Sequence, residues 1–255
     1  MIRKDNPILP RVFFLVVLTF FLSHQNSVAE SSFLSGPHQV SLLELYTSEG
    51  CSSCPPADQM FTQLKSSPDL WKKVVPVAFH VDYWNSPAWM DRMSDAQFTR
   101  RQKDYIRQWQ GQTSYTPMLV FNGTEFRRGT ISEKPQFNVG YLKLIKTTPG
   151  SFEVTFVPKD RLNQKDWMIH IALLGFGISS YVTAGENAGQ TLKHDFAVLA
   201  FASKKVELDK GKLRTSFKLE ADRLLQASQM GIAAWVTLEN DLRPVQAVGG
   251  FIVPD

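Results

Sequence analysis

The hydrophobic period of this chain changes at one place, and that change constrains its folding more than any other feature. Thr147-Thr148-Pro149-Gly150 is a cluster of turn formers. Before it, short apolar runs alternate with segments of helical spacing. After it, apolar residues recur at every second position. Phe152/Val154/Phe156 and Trp167/Ile169/Ile171/Leu173 alternate in this way, and similar runs lie near 196–201, 213–219, 232–238 and 245–253. Strands in this number, with only a helical turn at Leu224 to Met230, predict an all-β, sandwich-like unit over 150–255. A length of 255 residues suits two such units.

The first half reads differently. Val40 to Thr47 and Val74 to Asp82 are strand candidates. Between them Ala57, Met60, Phe61 and Leu64 share one helical face, with Pro55 and Pro56 at the first turn, where missing N–H groups cost little. Ser94-Asp95-Ala96-Gln97 is a capping box for a second helix that buries Phe98, Tyr105, Ile106 and Trp109 and stops at Gly111. Asn122-Gly123, between Met118–Phe121 and Thr124–Arg127, is a hairpin signal, which also explains the Asn122-Gly123-Thr124 glycosylation sequon. Ser132 opens a last helix with Phe137, Tyr141, Leu144 and Ile145 on one face. The order βαβα, hairpin, α predicts an α/β domain over 38–148.

Residues 1–29 carry Arg3, Lys4 and Arg11, then the apolar run Val12 to Leu22, then a polar stretch ending Ser27-Val28-Ala29. This is the pattern of a cleaved secretory signal. The apolar run spans only ~16 Å as a helix against a bilayer core of ~30 Å. The expectation is therefore a periplasmic or secreted protein in an oxidising compartment, with no stable membrane anchor after cleavage. Half of the net charge of +4 sits in that segment, so the mature chain is nearly neutral and no nucleic-acid partner is expected.

Cys51 and Cys54 are the only cysteines, three apart, between a strand and a helix. The positive end of a helix dipole stabilises a thiolate there. The first cysteine, at an exposed turn, can attack a disulfide, and the second can resolve the mixed disulfide. An inert structural disulfide is the competing reading, but so short a loop restrains little chain entropy.

The stretches E-L-Y-T-S-E-G-C-S-S-C-P-P-A-D at 44–58, F-H-V-D-Y-W at 79–84 and Y-T-P at 115–117 resemble a secreted bacterial family of unknown function. In that family a thioredoxin-like domain precedes a β-rich domain, and the resemblance extends through Gly185–Leu192. It implies an α/β thioredoxin-like domain followed by an all-β sandwich-like domain. It also implies a thiol site with Cys51 as nucleophile and Cys54 as resolver. By the same resemblance Thr116-Pro117 would be a cis-proline step that docks substrate and Glu44 a buried acid relaying the proton of the resolving thiol. Tyr83, Trp84 and Trp89 are candidates either for a substrate-groove wall or for core packing. The Ser-Ser dipeptide and the following Pro-Pro depart from classical thioredoxins.

His80 and Asp82 lie at the strand end nearest the dithiol and could shuttle protons or complete a copper or zinc site, while His38, His170 and His194 fall outside the elements framing it. Gly185–Leu192 reads first as a turn cluster and second as a loop docked over the dithiol. The expected function is exported thiol–disulfide oxidoreductase chemistry on protein or small thiols, or with a redox partner protein. It needs no organic cofactor, no Gly-rich phosphate loop being present, and assigns no metal. The alternatives are a Cu(I) carrier using Cys51 and Cys54, with or without His80, and a binding protein without turnover.

Overall fold

The computed structural model describes residues 31–127, 137–159, 166–220 and 226–252. The expected signal segment, Ser132 and Leu224 lie outside these residues. Among the described residues the chain forms β1 (Ser32–Leu34), β2 (Ser41–Thr47), α1 (Pro55–Leu64), β3 (Val74–His80), α2 (Ala96–Gln108), β4 (Met118–Phe121), β5 (Thr124–Glu125), β6 (Gly140–Thr148), β7 (Ser151–Pro158), β8 (Asp166–Phe176), β9 (Ile178–Tyr181), β10 (Thr191–His194), β11 (Ala197–Glu207), β12 (Leu213–Lys218), β13 (Gln229–Leu238) and β14 (Asp241–Ile252). No helix among them is long and apolar enough to cross a membrane.

Local expectations in the first half hold up to residue 127. The α1 helix starts on Pro55 and Pro56. The α2 helix is capped one residue later than its sequence suggests: the Asp95 carboxylate, not Ser94, accepts from the backbone N–H of Gln97 at 2.8 Å. Asn122 and Gly123 both take positive φ, 48° and 76°, joining β4 to β5 with Phe121 opposite Thr124. That is the mirror-image turn whose twist matches a hairpin.

The expected succession of an α/β thioredoxin-like domain and a separate β-sandwich is overturned. The structure is mostly β, and strands of both halves share one eight-stranded sheet in the order β14-β13-β8-β11-β3-β2-β4-β5. The seam is the parallel step between β3 and β11, where Ala197 lies opposite Ala78 and the Ala78 N–H donates to the Phe196 carbonyl at 2.9 Å. One core cluster runs across it, with Phe79, Phe98 and Tyr105 packed with Phe176, Phe196 and Trp235.

The segment expected as a third helix is also a strand. In β6 Leu142 and Leu144 point inward while Tyr141 and Lys143 face solvent, which is period 2. Residues 141, 144 and 145 satisfy helical spacing as well, so a window this short cannot separate the two periods. Pro149-Gly150 is then the turn of a β6–β7 hairpin, Thr148 opposite Ser151, rather than a break between units. The sheet β1-β6-β7-β12 packs its apolar face on the odd-numbered residues of β8, Trp167, Ile169 and Ile171.

On another part of the large sheet, β2 carries a carboxylate into the core. Glu44, 1% exposed, receives two hydrogen bonds from Arg101 of α2, at 2.8 and 3.1 Å, and further ones from the Tyr46 and Tyr105 hydroxyls. The Arg101 guanidinium lies over the rings of Phe79 and Tyr105 and over Phe201 and Trp235 from the second half. Burial disfavours its charge, yet the Glu44 carboxylate holds it protonated far above neutrality. Burial, then Glu44, likewise raises both tyrosines. Removing one partner strands the other. Arg101→Met is expected to lower the unfolding free energy in urea by about 3–5 kcal/mol, and adding Glu44→Gln should recover part of the loss. A loss below about 1 kcal/mol would show that the pair does not tie the halves together.

Candidate functional site

Residues 48–54 join β2 to α1. The main chain turns twice, the Cys51 N–H donating to Ser48 and the Cys54 N–H to Cys51, each at 3.2 Å. Gly50 is required because a Cβ there would lie 2.9 Å from Cβ of Trp84. Cys51 and Cys54 form a disulfide with Cα atoms 5.5 Å apart. Two details correct the sequence reading. Cys51 is not exposed: it is 1% accessible, Cys54 0%. The start of α1 offers few free N–H groups, because Pro55 and Pro56 have none and the amides of Ala57 and Asp58 donate to the Cys54 carbonyl. What remains at this helix end to favour a thiolate is the helix dipole.

Three expected site residues do converge on this turn. The Thr116–Pro117 bond is cis. Ser53 Oγ lies 3.3 Å from Cys51 Sγ and donates to the Thr116 carbonyl at 3.4 Å. Half-buried Trp84 donates its indole N–H to Thr116 Oγ1 at 2.8 Å. Tyr83 is exposed beside it, its hydroxyl pKa raised by partial burial. Glu44 is not brought to the dithiol. Its carboxylate is taken up by Arg101, Tyr46 and Tyr105, and alternation along β2 sends it to the opposite face from Thr47, whose hydroxyl donates to Asp58. Asp82 is engaged by Thr99 of α2.

A buried acid on the helix that carries the second cysteine is Asp58. It follows Cys54 by four residues, one helical turn, so the two share a face. It is buried, and burial raises its pKa against the opposing fields of His194 and His80. This residue was legible in the helical spacing but was overlooked among the apolar positions of α1. Around it lie Glu49, His80, Asp91 and His194, all buried. Burial alone would keep His80 neutral. The Asp91 carboxylate, 2.7 Å from Nδ1, reverses this and pushes its pKa up to about 9, so the imidazole is charged at neutral pH. Asp91 also accepts from the Glu49 and Met93 N–H groups, fixing the loop before α2 against the dithiol turn.

His194 enters the cluster from β10, contrary to its place in the sequence. Its ring meets that of His80 edge-on, centroids 4.8 Å apart, and its Nε2 lies 3.2 Å from Glu49 Oε1 without hydrogen-bond geometry. Among the described residues no three of His, Cys, Asp and Glu are arranged to hold a metal ion.

The Gly185–Leu192 segment takes its second reading and docks on the dithiol turn. Asn187, 1% exposed, donates to the carbonyls of Glu49 and Cys51 at 2.9 and 3.0 Å. The Glu186 carboxylate accepts from both the amide and the hydroxyl of Ser52, at 2.9 and 2.7 Å. The site is thus built from both halves of the chain.

Comparisons with known proteins agree with the architecture. The chain is similar to a solved protein of Agrobacterium tumefaciens determined by a structural genomics consortium, with 21% identity and a TM-score of 0.59 over 85% of this chain and 96% of that one. It is similar also to HBP35 of Porphyromonas gingivalis, with 14% identity and a TM-score of 0.59 over 85% of this chain and 76% of that one. At these identities the likeness concerns the fold. No curated protein matches the sequence. A family of proteins of unknown function, DUF1223, matches residues 42–237, well over half of the chain. The chain therefore belongs to the DUF1223 family.

Proposed function

We propose that this chain is an exported thiol–disulfide oxidoreductase acting through Cys51 and Cys54. The observation that carries the reading is a disulfide across three positions, at the start of a helix, with a buried acid one turn beyond it. So small a ring adds little stability by restraining the unfolded chain, whereas it suits reversible exchange. In the reducing direction the Cys51 thiolate attacks one sulfur of a substrate disulfide. The substrate S–S bond breaks, one thiolate leaves and is protonated, and a mixed disulfide remains. Cys54 then gives its proton to Asp58 and attacks Cys51 Sγ. The second substrate thiolate leaves, and two electrons have passed from the dithiol to the substrate. Oxidation of a substrate dithiol is the same sequence reversed. An acid whose pKa is raised by burial is closer to that of a thiol, near 8.5, than an exposed aspartate is, so proton transfer between them is less uphill.

Thr116, Pro117 and Trp84 form the wall beside Cys51 against which a partner would dock. The substrates are protein or small thiols and disulfides, or a dedicated redox partner, and the secretory signal in 1–29 would deliver the chain to an oxidising compartment.

Alkylation of the reduced protein near neutral pH should modify Cys51 before Cys54, as read by peptide mass spectrometry, and Cys54→Ser should accumulate mixed disulfides through Cys51. Preferential labelling of Cys54 would reverse the roles. Asp58→Asn should slow release of the second substrate thiol by on the order of tenfold to a hundredfold. Acid quenching and mass spectrometry would show the mixed disulfide persisting while its formation changes much less. Equal effects on both steps would remove Asp58 from the proton path.

A further inference from the structure

We infer that Glu186 makes the site selective for disulfides that carry positive charge beside the reacting sulfurs. The inference rests on the thiol–disulfide reading and names the partner's chemistry. Glu186 is exposed, yet its carboxylate is not free to wander. One oxygen, Oε2, accepts from both the amide and the hydroxyl of Ser52, the residue following Cys51. The next residue, Asn187, is buried and donates to the carbonyls of Glu49 and Cys51, on either side of Gly50. Gly185 and Gly189 bracket the pair with φ of +88° and +82°, a backbone that L side chains rarely adopt. The loop is closed on itself as well, the Gly189 N–H donating to Val182 and the Ala188 N–H to Gly185.

This arrangement explains the Ser-Ser dipeptide. Ser52 supplies both donors that hold Glu186, and Ser53 bridges Cys51 Sγ to Thr116. The hydrogen bonds from Ser52 lower the Glu186 pKa, so the anion is the resident form. A fixed anion one residue from the attacking sulfur attracts an incoming cation and repels an incoming anion. Among the described residues Glu186 Oε1 accepts no hydrogen bond, and it can face an ammonium or guanidinium group of the partner.

The test compares three disulfides as oxidants of the reduced full chain: cystamine, which is dicationic, oxidised glutathione, which is anionic, and 2-hydroxyethyl disulfide, which is neutral and normalises the rates. For the wild type the cystamine-to-glutathione ratio of normalised rates should exceed that of Glu186→Gln by about threefold or more at low salt. It should fall further in Glu186→Lys. Raising the salt toward 1 M, where the screening length is about 3 Å, should bring the three proteins together. Ser52→Ala, which loses only the hydroxyl anchor, should lie between wild type and Glu186→Gln. A ratio that is the same in wild type, Glu186→Gln and Glu186→Lys overturns the inference while leaving the oxidoreductase reading standing. Failure of the reduced wild type to react with any of the three disulfides overturns both.

Discussion

The buried ion pair of Glu44 and Arg101 constrains how the helices and sheet can pack. Glu44 on β2 and Arg101 on α2 are both nearly inaccessible, and neither charge could be buried alone without a penalty of several kcal/mol. Their bidentate contact therefore fixes α2 on the sheet. The aromatic rings around the guanidinium extend that constraint. Phe79 and Tyr105 come from the first half, Phe201 and Trp235 from the second. The strand seam between β3 and β11 is narrow, one residue pair deep. Cohesion across it comes from the side chains packed around Arg101 more than from the backbone ladder.

The same division between halves runs through the site. The dithiol, the wall at Thr116 and the acid Asp58 belong to the first half. The second half supplies His194, Glu186 and Asn187. It also holds α1 in place, for Asp195 accepts from Thr62 Oγ1 and pairs with Lys65, both at 2.8 Å. The helix carrying Cys54 is thus oriented by residues far along the chain. Two cysteines three residues apart are thus placed in a frame that draws on both halves of the chain.

What could be read beforehand was what is encoded locally. The turn at Asn122-Gly123 follows from two residues that tolerate positive φ, and β2, β3 and the two helices follow from spacing and end signals. The Cys51–Cys54 turn was equally plain. The continuity of the large sheet was not, because nothing within β3 or β11 names its neighbour. The strand β6 was hidden by a spacing that fits two periods. The thioredoxin resemblance points Glu44, seven residues before Cys51, toward the dithiol, whereas its partner Arg101 is 57 residues away and only the fold brings the two together. His194 was dismissed on the same ground. Glu186 and Asn187 lie among glycines, and glycines signal a turn before they signal what the turn touches.

The dithiol and its clamp are closed over very different lengths of chain. The cysteines are three residues apart, whereas 134 residues separate Ser52 from Glu186. Short loops close early and long ones await the packing that brings their ends together. In a chain emerging from its N-terminus the disulfide can form while the loop that will guard it is still unmade. Any oxidant that reached such a chain would meet Cys51 without the fixed anion beside it. On the proposed reading, the preference for charge would be acquired only at the end of folding, after the dithiol is already able to exchange.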